Sequence, residues 1–231
     1  MSVAKPEPQA ISAFAKASGT FATDLYSKMI EGKTGNIIMS PMSIQTALSL
    51  AMFGAGGKTK EGMMHAMHYD GLTDEAIQKS YGELTDSIKN TNGLKIANKV
   101  YVAQTHHVKE LFNQLAAKSF SSEAENLDFT QSQASADSIN KWVEDKTNNK
   151  IKDLIKAETL DADTRVVLVN AIYFKGFWEH QFNPAKTQKG ADFWISEDKS
   201  VPVDMMKTKV TFVKKLFFFS FVNSNVFFIN F

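Results

Sequence analysis

Apolar and polar positions alternate along the chain in two rhythms, one helical and one of strands. Between residues 9 and 30, Ile11, Phe14, Ala15, Phe21, Ala22, Leu25, Tyr26 and Met29 recur at helical spacing. They predict an amphipathic helix that Gly32 and Gly35 terminate. Ile37-Ile38-Met39 reads as a short buried strand. Ser40-Pro41 then supplies an N-cap hydroxyl and a proline at the first helical position. Residues 42–53 are apolar round most of the helical wheel, so this helix is expected inside a core. Thr73 caps the next helix, which starts at Asp74-Glu75 and presents Ile77, Tyr81, Leu84 and Ile88 on one face. Beyond the Asn92-Gly93 turn, Leu94, Ile96, Val100 and Val102 alternate with Lys95, Lys99 and Tyr101, predicting a strand with one buried face. Val108, Leu111, Phe112, Leu115 and Ala116 predict a further amphipathic helix, and residues 121–129 a polar, edge-like strand. Ala136, Ile139, Trp142 and Val143 then form one apolar stripe on a helix.

The longest apolar run, Val166 to Phe174, is interrupted only by Asn170. A run so rich in β-branched and aromatic residues predicts a strand buried on both faces. An amide at its centre must find hydrogen-bond partners, so Asn170 marks a network that holds the sheet there. Lys175-Gly176 closes the strand and Phe177-Trp178 follows as a bulky apolar plug. His180 to Phe193 reads as loop. At Leu216 the composition breaks: seven of the eighteen phenylalanines fall between there and Phe231, with no charged residue. Sixteen residues interrupted by serine and asparagine are short and polar for a membrane span.

The whole chain, at 43% hydrophobic and 22% charged, has the composition of an ordinary globular protein. A net charge of +1 gives no bulk electrostatic argument for nucleic acid or an anionic membrane. With no cysteine, disulfides, thiol catalysis and Cys-based zinc sites are excluded. The first ten residues lack the basic and apolar regions of a signal peptide, so the chain as written reads as cytoplasmic.

Two motifs suggest chemistry and fail on inspection. Gly54-Ala-Gly-Gly-Lys-Thr59 is like the end of a phosphate-binding loop. That loop needs a glycine at position 52, where methionine stands, and it should follow a strand rather than a helix. His65 and His68 could face one metal ion, but no third ligand has matching spacing. There is no nucleophile elbow, no His-Glu-x-x-His and no pair of carboxylates whose placement demands acid–base work. The reading is of a protein that is not an enzyme, with no cofactor and no metal.

Several stretches together resemble the serpin family, in an insect-like form. Asn36-Ile-Ile-Met-Ser-Pro-Met-Ser-Ile44 resembles its first sheet-B strand running into helix B. Leu94 to Val102 resembles strand 2 of sheet A, Thr164 to Trp178 the next sheet-A strand, and Ile139-Asn-Lys-Trp-Val-Glu-Asp-Lys-Thr-Asn148 helix F. Phe182-Asn-Pro184 resembles the approach to sheet C, and Pro202 to Val210 the next strand of that sheet. The resemblance implies an α+β serpin fold, incomplete, with N-terminal helices and parts of sheets A, B and C. It covers residues 9–212, between an extension at 1–8 and a phenylalanine-rich tail at 213–231 that matches nothing in the pattern and reads as foreign.

What it implies for function is inhibition of a serine protease by a loop that is cleaved and then inserted into sheet A. Carried over by position, Ser40, Ser43 and Asn170 are shutter residues, under the sheet where strands part. Trp178 is the breach residue, where the loop enters. The reactive loop itself lies beyond these residues, so the expectation is a serpin part that does not inhibit. The alternatives are an interaction protein that binds a strand at an open sheet edge, or an unstable splice product. Some serpins bind heparin through the helix at residues 74–89. Here Lys79 and Lys89 alternate with Glu75, Glu83 and Asp86, which argues against it. Many serpins are secreted, so an extracellular location is the alternative to the cytoplasm.

Overall fold

The computed structural model describes residues 8–89, 93–178 and 180–208. The Phe-rich tail expected to be foreign lies outside them. Packing divides the chain into two compact units, Met1–Lys175 and Gly176–Phe231.

The first unit is built on a three-stranded sheet. Its strands are β1 (Leu94–Ala103), β2 (Glu123–Leu127) and β3 (Val166–Phe174), in the order β2-β1-β3. β1 runs parallel to β2 and antiparallel to β3, with Asn98 opposite Asn170 and Lys99 opposite Val169. Helices α1 (Pro8–Ile30), α2 (Pro41–Gly54), α3 (Gly57–Ala66), α4 (Asp74–Lys89) and α5 (Glu110–Phe120) precede or interleave these strands, and α6 (Ser132–Lys146) follows β2. Two apolar layers sandwich the sheet. On one face Val100 and Val102 join Phe14, Phe21, Leu50, Met52, Ile77, Tyr81 and Phe120 of the helices. On the other, Tyr101, Ala103, Val169 and Ala171 meet Ala136, Ile139 and Val143 of α6.

Local signals act as the sequence predicts at several places. Ser40 caps α2, and Thr73 caps α4 by accepting a bond from the Ala76 amide at 3.2 Å. Gly32 and Gly35 take positive φ after α1, a conformation that ends the helix.

Other expectations are corrected. β1 is covered on both faces at its centre, because as the middle strand it has helices above and below. β3 is not buried on both faces: Val169 and Ala171 are buried while Val166, Leu168 and Phe174 are exposed. It lies at the edge of this sheet, where one flank has no neighbouring strand among the described residues. Ile37–Met39 forms no strand, and Ile38 is 98% exposed, since no described strand supplies the ladder hydrogen bonds.

Helix α2 is packed, but its buried positions include Ser43, Gln45, Thr46 and Ser49, while Leu48 is partly exposed. Of the face predicted on α1, Phe14 and Phe21 are buried together with Ala17, and Ile11, Tyr26 and Met29 remain exposed. In α5, Leu111 points to solvent. His65 and His68 do not share a helix face: α3 ends at Ala66, and His68 adopts a positive φ.

The second unit contains an antiparallel hairpin of β4 (Gln188–Ser196) and β5 (Lys199–Met205). The stretch expected to be loop up to Phe193 is therefore strand from Gln188. A register shift between Gln188 and Ala191 breaks the strict alternation by which a strand is recognised in sequence.

Candidate functional site: a hydroxyl–amide relay from helix to sheet

The relay begins at the cap of α2. Ser40 has extended backbone, and its side-chain oxygen accepts a bond from the Ser43 amide at 3.4 Å. Pro41 follows with φ already suited to a helix. This start fixes the first turn and places Ser43, three residues later, against the sheet. Ser43 is buried, and its Oγ donates to Asn170 Oδ1 at 2.5 Å. Asn170 Nδ2 in turn donates to Asn98 Oδ1 at 2.6 Å. The last step is short because the antiparallel register sets Asn98 directly opposite Asn170. Ser122, on the turn between α5 and β2, donates its hydroxyl to the Asn98 carbonyl at 3.0 Å.

One continuous chain of polar groups thus joins α2, β3, β1 and the approach to β2. Such bonds reinforce one another in a poorly polarisable interior, and each group left unpaired there carries a desolvation cost. The arrangement makes the seam between β1 and β3 a place where strand spacing and helix position are coupled.

A second polar cluster stands further along α2. Ser49 Oγ lies 3.0 Å from both the Tyr69 and the Tyr81 hydroxyl, and the two phenols are 2.7 Å apart. All three residues are buried. Burial raises the pKa of both phenols, that of Tyr81 well above its usual value, so the triangle is one of neutral hydroxyls.

The structure brings three of the four expected residues together. Ser43 and Asn170 bond directly, and Ser40 acts through the cap. Trp178 belongs to the second unit, where it is half exposed and meets the Phe182 ring edge-on at 6.2 Å. The two histidines rejected as metal ligands bond to different carboxylates, His65 to Asp70 and His68 to Asp24. Among the described residues there is no group of three potential metal-binding side chains. Nor is any described helix long and apolar enough to cross a membrane.

Asn98, Ser122 and the Ser49 triangle are additions that the sequence reading missed. Two signals were available. Asn98 interrupts the apolar row 94, 96, 100, 102, as Asn170 interrupts its own run, and Ser43, Thr46 and Ser49 recur at every third position of a helix.

A sheet with one helix across one face, a helical layer on the other and a hydroxyl–amide seam between helix and strands agrees with the incomplete α+β serpin fold expected from the sequence. The profile of that family, described as serpin (serine protease inhibitor), matches residues 16–221. The chain belongs to the serpin family. The matched segment runs past residue 212 into the phenylalanine-rich stretch.

Serine protease inhibitor 42Dd of Drosophila melanogaster is 37% identical over 193 residues, 82% of this chain and 52% of that protein. Serpin48 of the insect Tenebrio molitor superposes with a TM-score of 0.79 at 33% identity, over 88% of this chain and 55% of that one. Cleaved Serpin 42Da gives 0.77 at 36% identity, over 85% and 53%. The chain therefore spans about half the length of the relatives it matches. The α+β serpin fold, incomplete, expected from the sequence is the fold observed.

Proposed function

We propose that this chain supplies the sheet-bearing part of a serine-protease inhibitor, in which the Ser43–Asn170–Asn98 relay is the shutter. The observation that carries the reading is the relay itself, which ties α2 to two adjacent strands, one of them at the edge of the sheet among the described residues. A strand entering beside β3 has to disturb Asn170, and hence Ser43 and Asn98. Ser40 acts by fixing the turn from which Ser43 projects. Trp178 is assigned to the breach, the entry point of the inserting loop, by resemblance. The partner of the inhibitor is a serine protease, and heparin is not expected to be one.

The loop that a protease would cleave falls, by resemblance, beyond the residues of this sequence. The 231-residue polypeptide by itself is therefore expected not to inhibit. Incubated with trypsin-like, chymotrypsin-like and elastase-like serine proteases, it should yield no complex that survives SDS and heat. A protease-dependent upward band shift would overturn this.

A second reading is favoured by one observation, that no strand among the described residues pairs with the outer flank of β3. Here the chain is an interaction protein that accepts an extended segment by strand addition. Binding of a labelled extended peptide, lost on substitution of β3-edge residues with proline, would support it.

A further inference from the structure

Among the described residues, the mostly apolar layer between α6 and the sheet holds one buried charged side chain. Ala136, Ile139 and Val143 of α6 are buried against Tyr101, Ala103, Val169 and Ala171. In the same layer stands Lys99, on the central strand opposite Val169, with only 9% of its surface exposed. Its Nζ forms an ion pair with Glu125 Oε2 of β2 at 2.6 Å. It also lies 5.3 Å from the centre of the Tyr101 ring and 5.7 Å from that of Trp142 on α6. Glu125 is much more open, its side chain 43% exposed.

Charge at this place has an asymmetric effect. An ammonium group that is stripped of water needs its counter-ion; removing that counter-ion leaves an uncompensated charge under the helix. Replacing the lysine with an apolar side chain of similar length removes the desolvation cost and keeps the packing. The two aromatic faces recover part of the lost hydration, and Trp142 contributes its share only while α6 is docked. When α6 lifts, Lys99 regains water. The ammonium therefore works against the apolar grip of Ile139 and Val143, and Glu125 sets by how much.

We infer that the Lys99–Glu125 pair is a charged seam that keeps α6 releasable from the sheet, with Lys99 the positioning residue and Glu125 the group that tunes it. For its consequence the inference rests on the inhibitor reading above, because a strand entering the sheet disturbs the layer that α6 covers. The measurement that tests it does not depend on inhibition.

Amide hydrogen exchange of α6 in the full chain is compared with that of α4 in the same molecule. Lys99→Met should slow exchange in α6 by about threefold to tenfold, and Glu125→Gln should accelerate it by about tenfold, with α4 unchanged in both. The double variant should follow Lys99→Met, since without the ammonium the carboxylate has nothing to neutralise. Lys99→Arg, which keeps the charge, should stay near the parent. Faster exchange in both single variants would make the pair a plain clamp and overturn the inference. Unchanged exchange in Lys99→Met would overturn it as well, since apolar packing alone would then set the grip. Loss of inhibition by a longer chain with α6 exchange behaving as described would count against the inhibitor reading and leave the seam intact.

Discussion

Asn170 makes two bonds that no other side chain of its size could make together, since its carbonyl oxygen accepts from Ser43 while its amide nitrogen donates to Asn98. Asn170→Ala leaves the Ser43 hydroxyl and the Asn98 oxygen without partners in a part-buried seam. The expected cost is about 1–3 kcal/mol, read as a lower midpoint in urea denaturation. A cost no larger than that of an exposed alanine substitution would show that the relay does not hold the strands.

The phenols make a prediction of pH dependence at the same scale. Tyr69, Tyr81 and Tyr101 have raised pKa values, in each case chiefly through burial, with Glu125 adding to the effect on Tyr101. Their folded pKa values exceed the unfolded one, so above about pH 10 the unfolded chain binds fewer protons and stability falls as pH rises. Below that pH the contribution is fully present. The phenolate absorbance lost in Tyr81→Phe should therefore appear only where the helical circular dichroism also collapses. Phenolate formation at Tyr81 with the helices intact would contradict the burial argument.

Among the elements, the segment before α2 separates what a sequence pattern suggests from what pairing allows. If Ile37–Met39 were a buried strand, Ile38→Ser would cost several kcal/mol, roughly the 2–5 of a large core truncation. With Ile38 almost wholly in solvent, the expected change is within about 0.5 kcal/mol. Thermal unfolding of the single variant decides between them. Helix α2 itself shows the opposite discrepancy, with hydroxyls on the buried side. Its wheel looked mostly apolar because Ser43, Thr46 and Ser49 lie among methionine, alanine and leucine, and hydropathy says nothing about the hydroxyls of Ser43 and Ser49, whose partners are 20 or more residues away.

For the molecule as a whole, exposed apolar surface is the governing feature. Ile38, Leu111, Val166 and Phe174 in the first unit are each more than half exposed. Each such side chain left in water forgoes roughly 1.5–3 kcal/mol of burial, against a domain stability of about 5–15. The 231-residue polypeptide should accordingly bind an apolar fluorescent dye and unfold with low cooperativity. Sharp two-state melting of a monomer without dye binding would refute this. Outside the described residues, the segment Phe217-Phe218-Phe219-Ser220-Phe221-Val222 combines high β-propensity with no charge and no proline, a composition prone to cross-β association. Ending the chain at Lys215 should raise the soluble yield; a fall would mean that the tail contributes to folding.

Asn170 could be recognised from the sequence because a single amide among eight apolar residues has to be hydrogen-bonded, and Ser40-Pro41 because capping is a local matter of one turn. The helical and strand periods likewise follow from which side chains repel water. Asn98, though just as polar among apolar neighbours, acquires its role only from the register that sets it opposite Asn170. Lys99 looked like a solvent-facing residue of an alternating strand; the arrival of α6 on that face is what buries it. The half exposure of β3, read from sequence as complete burial, was decided in the same way. Local sequence determines what each segment prefers, whereas burial on a given face depends on which other segments arrive there, and those lie tens of residues away along the chain.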